Sequence, residues 1–396
     1  MKKVVLAFSG GLDTSYSAVY LHKEMGLEVH AALANTGGFT PEELARIESR
    51  ARALGVASYR VLDVTREYYE KQIRYMVFGN VLKNDAYPIS VSSERISQAA
   101  SVAAYAREIG ADCLCHGSTG AGNDQVRFDM IFNILAPEIK IIALIREKRL
   151  TREEEIEYLR ANGVDFDFKK AEYSINQGLW GTSVGGKETL TSSQTLPEAA
   201  YPSQLTTEGS RRVTLTFEKG EFTGLDGVRY ENRVEAIRAL HALAAPYAIG
   251  RDMHVGDTII GIKGRVGFEA AAPLIIIKAH HMLEKHTLAK WQLFWKDQIS
   301  AFYGNWLHEG QYFDPVMRDM EAFLESSQRT VSGDVFVDLH PYRFVVVGVE
   351  SPHDLMSGKF GAYGEVMSDW TGEDCEGFAK IFGLQNVIWH RVNDHD

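Results

Sequence analysis

The chain has 396 residues, of which 45% are hydrophobic and 24% charged. That is an ordinary globular composition, with length for two or three domains and a substantial buried core. A formal net charge of −11 argues against a nucleic-acid backbone as the main partner, which would require clustered Lys and Arg, whereas small anions need only a local cradle.

After Lys2 and Lys3, the apolar stretch Val4 to Phe8 is broken at once by Ser9-Gly10-Gly11, too short for the core of a signal peptide. The longest apolar run, Ala270 to Ile277, holds eight residues, against the roughly 20 a membrane-spanning helix requires. The three cysteines are an odd number, and Cys113 and Cys115 sit two apart in a buried-strand pattern, which fits a reduced compartment. The expectation is a cytoplasmic protein that meets neither nucleic acid nor membrane.

In chain order, the first part alternates short apolar strands with helical patterns: Val4 to Phe8, a helix from Thr14, Val29 to Ala34, a helix from Pro41, then Ser58 to Val64. A helix around Arg95 to Ile109, the strand Ala111 to Gly117, a helix from about Asp124 and the strand Lys140 to Leu144 continue it. This is the rhythm of stacked β-α-β units, so the fold class is α/β, with a parallel sheet over about residues 1–170 and a ligand at the carboxyl ends of its strands. From about residue 185 the texture becomes α+β. Arg211 to Gly227 reads as a hairpin, followed by a helix Val234 to Ala244, a strand Asp257 to Phe268, a long helical stretch Pro273 to Tyr303, and paired strands around Val335 and Val345. We expect an α+β domain over 171–365 and a C-terminal segment, 366–396, with a helix Glu373 to Phe382. Val387, Ile388 and Trp389 then lack an obvious core and dock either on another subunit or within the chain.

Two segments carry the chemistry. Ser9-Gly10-Gly11-Leu12-Asp13-Thr14-Ser15 runs from a buried strand into a helix, which turns unpaired N–H groups and a positive helix end toward one spot and suits an anion. Ser9, Thr14 and Ser15 add hydroxyl donors; Asp13 is tolerable beside phosphates if it holds magnesium or orders the loop's own N–H groups. The alternative is a plainly capped helix start. The segment is not a Walker loop, because no G-x-x-x-x-G-K-[ST] occurs. The second segment, Gly117 to Phe128, again passes from a strand end through glycines into a helix. Asn123 and Arg127 are i and i+4, so they share a first turn with Asp124. Together with Thr119 they can grip a zwitterion, its carboxylate on Arg127 and Thr119 and its ammonium on Asp124.

SGGLDTS resembles the pyrophosphate-binding loop of the N-type ATP pyrophosphatases, and Gly117 to Phe128 resembles the G-[CST]-T-G-K-G-N-D-Q-V-R-F signature of the argininosuccinate synthase family, with Ala121 in place of Lys. Tyr87 to Arg95, Tyr173 to Ile175 and Leu179 to Ser183 are similar to further segments of that family, in the same order. The resemblance implies an adenine-nucleotide-binding domain followed by a synthetase and multimerisation domain, with ATP and Mg2+ as cofactors. It implies that citrulline and aspartate are joined through an adenylated intermediate with release of AMP and pyrophosphate, in a cytoplasmic homotetramer serving arginine biosynthesis. It implies ATP binding by Ala7, Phe8, Ser9, Gly10, Gly11, Leu12, Asp13, Thr14, Ser15, Ala34 and Gly117. Aspartate would fall to Thr119, Asn123 and Asp124, and citrulline to Tyr87, Ser92, Asn123, Arg127, Ser174 and Ser183. Catalytic parts fall to Asp13, Asp124 and Arg95, with no metal site formed by protein groups alone.

The resemblance has gaps. An ungapped alignment on Gly261 to Arg265 puts Gly256 and Phe268 where the family has a Glu and a Tyr that touch citrulline. Ser90, Val91, Asn35 and Gly38 also depart from its pattern. Losing the carboxylate partner of a buried ammonium costs about 3–5 kcal/mol, so either Asp257 or Glu269 replaces it or the substrate amine is not free, as in an N-acylated citrulline. An amidating or sulfur-transferring ligase of the superfamily would bring a catalytic thiol or a glutaminase domain, neither of which is evident. A non-catalytic nucleotide sensor would not need Asp13, Asn123, Asp124 and Arg127 together.

Overall fold

The computed structural model describes residues 1–120, 122–164, 166, 173–356, 361, 363–365 and 369–394. Ala121, and the proposed boundaries near 170 and 366, therefore lie outside the described residues or at their edge. The strands β1 (Lys3–Ala7), β2 (Glu28–Asn35), β3 (Ser58–Asp63), β4 (Cys113–Cys115) and β5 (Lys140–Ile142) form one parallel sheet in the order β3-β2-β1-β4-β5. The strand order reverses beside β1, which opens a crevice at the carboxyl ends of β1 and β4.

Strand alternation explains the two apolar layers. Val4 and Leu6 face the helices Leu12–Lys23, Pro41–Ala53 and Arg152–Ala161, while Val5 faces the helices Ser90–Glu108 and Asp124–Leu135. Cys113 and Cys115 share the first of these faces and are free thiols. Local signals set the helix starts: Thr40 and Thr151 each form a capping box, with Glu43 and Glu154.

Beyond the parallel sheet the pairing is antiparallel. Strands β6 (Ser174–Gly178) and β7 (Gly181–Gly185) join β11 (Arg251–Asp257) and β12 (Lys263–Glu269) in the order β11-β12-β7-β6. A second sheet of β8 (Arg211–Glu218), β9 (Glu221–Leu225), β10 (Val228–Arg229), β13 (Gly333–His340) and β14 (Arg343–Glu350) has the order β10-β9-β8-β13-β14.

Two expectations need correction. Asp257 to Phe268 is not one strand but the turn and second arm of a hairpin. Thr258 N–H donates to the Ile262 carbonyl at 2.9 Å, and Gly261 takes φ +86°. The apolar residues Ile259, Ile260 and Ile262 mask that turn in the sequence. The stretch Pro273 to Tyr303 is likewise two helices, Ala271–Thr287 and Lys290–His308. Leu288 between them is extended, at φ −107° and ψ 145°, and buried, and the Ala289 N–H is taken by Gln292 Oε1 at 3.0 Å.

The chain divides into two compact units, residues 1–352 and 353–396. The second contains the helices Gly372–Phe382 and Leu384–Asn393, on which Phe378, Ile381, Phe382, Val387, Ile388 and Trp389 are all exposed. Among the described residues, no helix is long and apolar enough to cross a membrane.

Candidate active site

The crevice beside β1 is a cleft of about 940 Å³ lined by Ala7, Phe8, Ser9, Gly11, Asp13, Thr14, Ala34, Arg95, Gly117, Thr119, Asn123, Asp124, Arg127 and Ser174. Gly10, Leu12, Ser15, Tyr87, Ser92 and Ser183 are not part of that lining. Leu12 packs into the core, and Ser15 donates back to the Gly11 carbonyl at 2.7 Å. Gly10 has φ +75°, which a side chain would resist, with Ile47 close beside it. Gly11 caps the following helix with no side-chain partner, so the first-turn N–H groups keep their anion-binding capacity.

The two glycine loops abut. A Cβ on Gly117 would lie 2.9 Å from Thr14 Cγ2, so that position has to be bare for the second loop to reach the first. Beneath the second loop, His116 is fixed by neighbours on both nitrogens. Its Nδ1 accepts from the Ser118 N–H at 3.2 Å, which leaves Nε2 to donate to Asp129 Oδ1 at 2.9 Å.

A charge lattice crosses the cleft. Arg95 Nε donates to Asp124 Oδ2 at 2.9 Å, and Arg127 Nη1 donates to Asp124 Oδ1 at 2.8 Å. Burial opposes the charge on Asp124, but Arg95 and Arg127 outweigh it and hold the carboxyl down at about 2. Arg95 Nη1 also reaches Glu94 Oε1 at 2.9 Å, and Glu94 Oε2 accepts from the Thr36 hydroxyl at 2.7 Å. For Glu94 burial wins, and its carboxyl is pushed up to about 7 despite Arg95. Arg127, expected to hold a substrate carboxylate, is already engaged within the chain. Its Nε and Nη2 both donate to the His308 carbonyl, at 3.0 and 2.7 Å.

On the first loop, the Asp13 carboxyl meets that of Glu155, from the helix Arg152–Ala161. Burial first, then the Asp13 charge, push Glu155 up to about 8.

The hairpin β11–β12 reaches the second loop where Ile259 N–H donates to Asn123 Oδ1 at 2.9 Å. Next to it, Tyr87 is buried between the His254 ring, stacked at 5.1 Å, and the Phe268 ring at 5.3 Å. Ser183 pairs across the sheet with Phe268, and Ser92 Oγ lies 3.0 Å from His308 Nδ1. Neither carboxylate named as a replacement takes the place of the missing Glu. Asp257 is exposed and paired with Lys263 at 2.5 Å, and Glu269 is taken by Ser203 at 2.6 Å and Arg251 at 3.0 Å. Nor is there spare room at Gly256, where a Cβ would lie 2.5 Å from His254 Nε2. Gly38 is similarly closed off by the Gln177 carbonyl.

Sequence reasoning missed Glu94, Glu155, His254 and His308. Glu94 stood inside a quoted segment, and Glu155 in an acidic helix start whose two preceding glutamates are exposed. His254 and His308 carry no motif, and only the fold brings them to Tyr87 and Ser92.

Comparison with known proteins identifies the family. A family model described as the arginosuccinate synthase N-terminal HUP domain matches residues 3–165, and one for the arginosuccinate synthase C-terminal domain matches residues 173–389. The argininosuccinate synthase of Xanthomonas axonopodis pv. citri is 37% identical over 404 aligned positions, covering 99% of this chain and 95% of its own length. That of Dictyoglomus thermophilum is 36% identical, covering 98% and 97%, and that of Methanocaldococcus jannaschii 33%, covering 97% of each. The chain belongs to the argininosuccinate synthase family and is a ligase of that type.

Proposed function

We propose that the cleft joins citrulline to aspartate at the expense of ATP, by way of a citrullyl adenylate, with AMP and pyrophosphate released. The observation that carries this reading is the meeting of the two glycine loops at the sheet's switch point, Gly117 against Thr14, with Asp124 held between Arg95 and Arg127 on the same cleft. The N–H groups at the start of the helix Leu12–Lys23 and the hydroxyls of Ser9 and Thr14 receive the phosphates. Ala34 and Phe8 line the adjoining wall and are the adenine side of the cleft.

Adenylation of a ureido oxygen needs no side-chain nucleophile. Its task is to hold the ureido oxygen against the α-phosphate, and then the aspartate amine against the activated carbon. Asp124 stays ionised at neutral pH and accepts from a substrate ammonium, and the Arg95 cation stands where phosphoryl charge develops. Magnesium fits this site because Asp13 is a carboxylate on the phosphate loop and lines the cleft; when bound, the ion offsets phosphate charge. The domain reading of 1–170 for nucleotide and 171–365 for synthetase and multimerisation belongs to the same proposal. So do a cytoplasmic homotetramer and the docking of 366–396, with its exposed Phe378 and Trp389, on another subunit.

One observation favours a second reading of the substrate. Asp257 and Glu269 are engaged elsewhere and His254 fills the space at Gly256, so neither of these carboxylates faces the position where the family places its Glu. A citrulline whose α-nitrogen is acylated, and so uncharged, suits that wall. Purified protein given ATP, magnesium, aspartate and either citrulline or N-acetylcitrulline, with products identified by mass, tests both. Argininosuccinate with AMP supports the first reading, the acylated product supports the second, and ADP with phosphate sinks both.

A further inference from the structure

The sequence Glu153-Glu154-Glu155 opens a helix, and each acid has a different fate. Glu153 is exposed, and Glu154 closes the capping box on Thr151. Glu155 alone turns inward, where it is 2% exposed. Its helix packs on Leu12–Lys23, the helix that the phosphate loop opens. There its carboxyl meets that of Asp13, which lines the cleft. The second oxygen, Oε2, is buried with no hydrogen-bond partner among the described residues. Leaving such an acceptor unsatisfied costs about 1–3 kcal/mol, more when it is charged. A fold that leaves that oxygen unsatisfied next to a phosphate loop, beside a second carboxyl, has the donor set that magnesium takes when it bridges protein and nucleotide, one or two carboxylates plus phosphate oxygens.

We propose that Glu155 is the second protein ligand, with Asp13, of the magnesium ion that accompanies the nucleotide. This rests on the phosphate-loop reading above. Asp13 is then the carboxylate that faces the cleft, and Glu155 is the one that fixes the ion from behind the loop. Arg152 on the same helix and the Tyr16 hydroxyl on the facing one are within electrostatic reach of the Glu155 carboxyl.

The test uses the full chain with α,β-methylene-ATP, which cannot be cleaved between those phosphates, and Mn2+ titrated in while free Mn2+ is read by electron paramagnetic resonance. Glu155→Gln keeps the shape and removes the charge. It is expected to weaken Mn2+ binding in the nucleotide complex about tenfold or more, with Glu155→Asp intermediate and the exposed Glu157→Gln within about twofold of the native chain. Nucleotide affinity in EDTA should be the same in all four proteins. Unchanged Mn2+ affinity in Glu155→Gln overturns the proposal. A loss of nucleotide affinity in EDTA equal to the loss of metal affinity also overturns it, because Glu155 would then only support the loop. If the native chain binds no nucleotide, the phosphate-loop reading falls and takes this one with it.

Discussion

The loop after β1 and the hairpin β11–β12 both reach the second glycine loop, but by different means. The first reaches it through backbone: Gly117 is bare because Thr14 stands against it. The hairpin reaches it through a hydrogen bond from Ile259 to Asn123, and its neighbouring wall is built of side chains, His254 and Phe268 around Tyr87. A backbone-built phosphate cradle leaves little freedom in sequence. A side-chain wall can exchange a carboxylate for an imidazole and keep its packing. The phosphate side should therefore govern nucleotide chemistry, and the hairpin side the choice of urea-bearing substrate.

The hardest way to break that division is through the charge lattice that joins both sides. Asp124→Ala leaves the buried Arg127 without its carboxylate and Arg95 without one of two, and should cost of the order of 3 kcal/mol in stability. Denaturant unfolding measures this, and a loss below about 1 kcal/mol would mean that the lattice is dispensable. Arg127→Lys is next, because a point charge cannot reproduce the pair of N–H bonds to the His308 carbonyl. We expect a loss of about 2 kcal/mol in kcat/KM for the urea-bearing substrate. A change confined to the KM for ATP would contradict the division.

These regions were not equally legible in the sequence. The parallel sheet was readable because its strands are short runs rich in apolar residues and two of its helices begin with the Thr-x-x-Glu capping pattern, at Thr40 and Thr151. The phosphate loop was readable because its conformation is local. Leu12 and Ser15 belong to the motif yet turn into the interior, as alternate positions of a helix's first turn must. The hairpin was misread as one strand, since the apolar residues at its tip look like strand. The break at Leu288 was hidden because its side chain continues the apolar pattern into the core, and Gln292, which accepts from the Ala289 N–H to start the next helix, is a weak local sign. The pairing of His254 with Tyr87, and of His308 with Ser92, joins residues far apart in the chain and has no local signal. At Gly256 the cause is local: His254, two positions away on the same strand, folds its ring back beside the bare backbone.

A gentler change sharpens the comparison. Gly256→Ala puts a methyl 2.5 Å from His254 Nε2, so the imidazole must move. Overpacking of this kind costs about 1–3 kcal/mol. The KM for the urea-bearing substrate should rise while that for ATP holds; steady-state kinetics with each substrate varied in turn would refute the hairpin's role if both rose together.

The smallest expected effect concerns pH. Burial, with Arg127 nearby, lowers His308 to about 3, so its neutral form belongs to the native state. An unfolded histidine takes its proton near 6.5. Below that value the unfolded chain binds a proton that the native one refuses, so this contribution is complete above about 6.5 and is lost as pH falls toward 3. Asp124 acts lower, with its contribution lost only between about 4 and 2. Glu94 and Glu155, held above the usual carboxylate range, act in the opposite sense over the same window, so the comparison is between proteins: acidified from pH 7 to 4, His308→Asn should lose less thermal stability than the native chain, and equal slopes would remove His308 from the account.

The central claim, that this cleft activates a ureido oxygen by adenylation, is tested most directly by isotope transfer. Citrulline or N-acetylcitrulline labelled with 18O at the ureido oxygen, turned over with ATP, magnesium and aspartate, should deliver the label to the phosphate of AMP, with unlabelled pyrophosphate. Label appearing in inorganic phosphate beside ADP, or in neither nucleotide product, would contradict it.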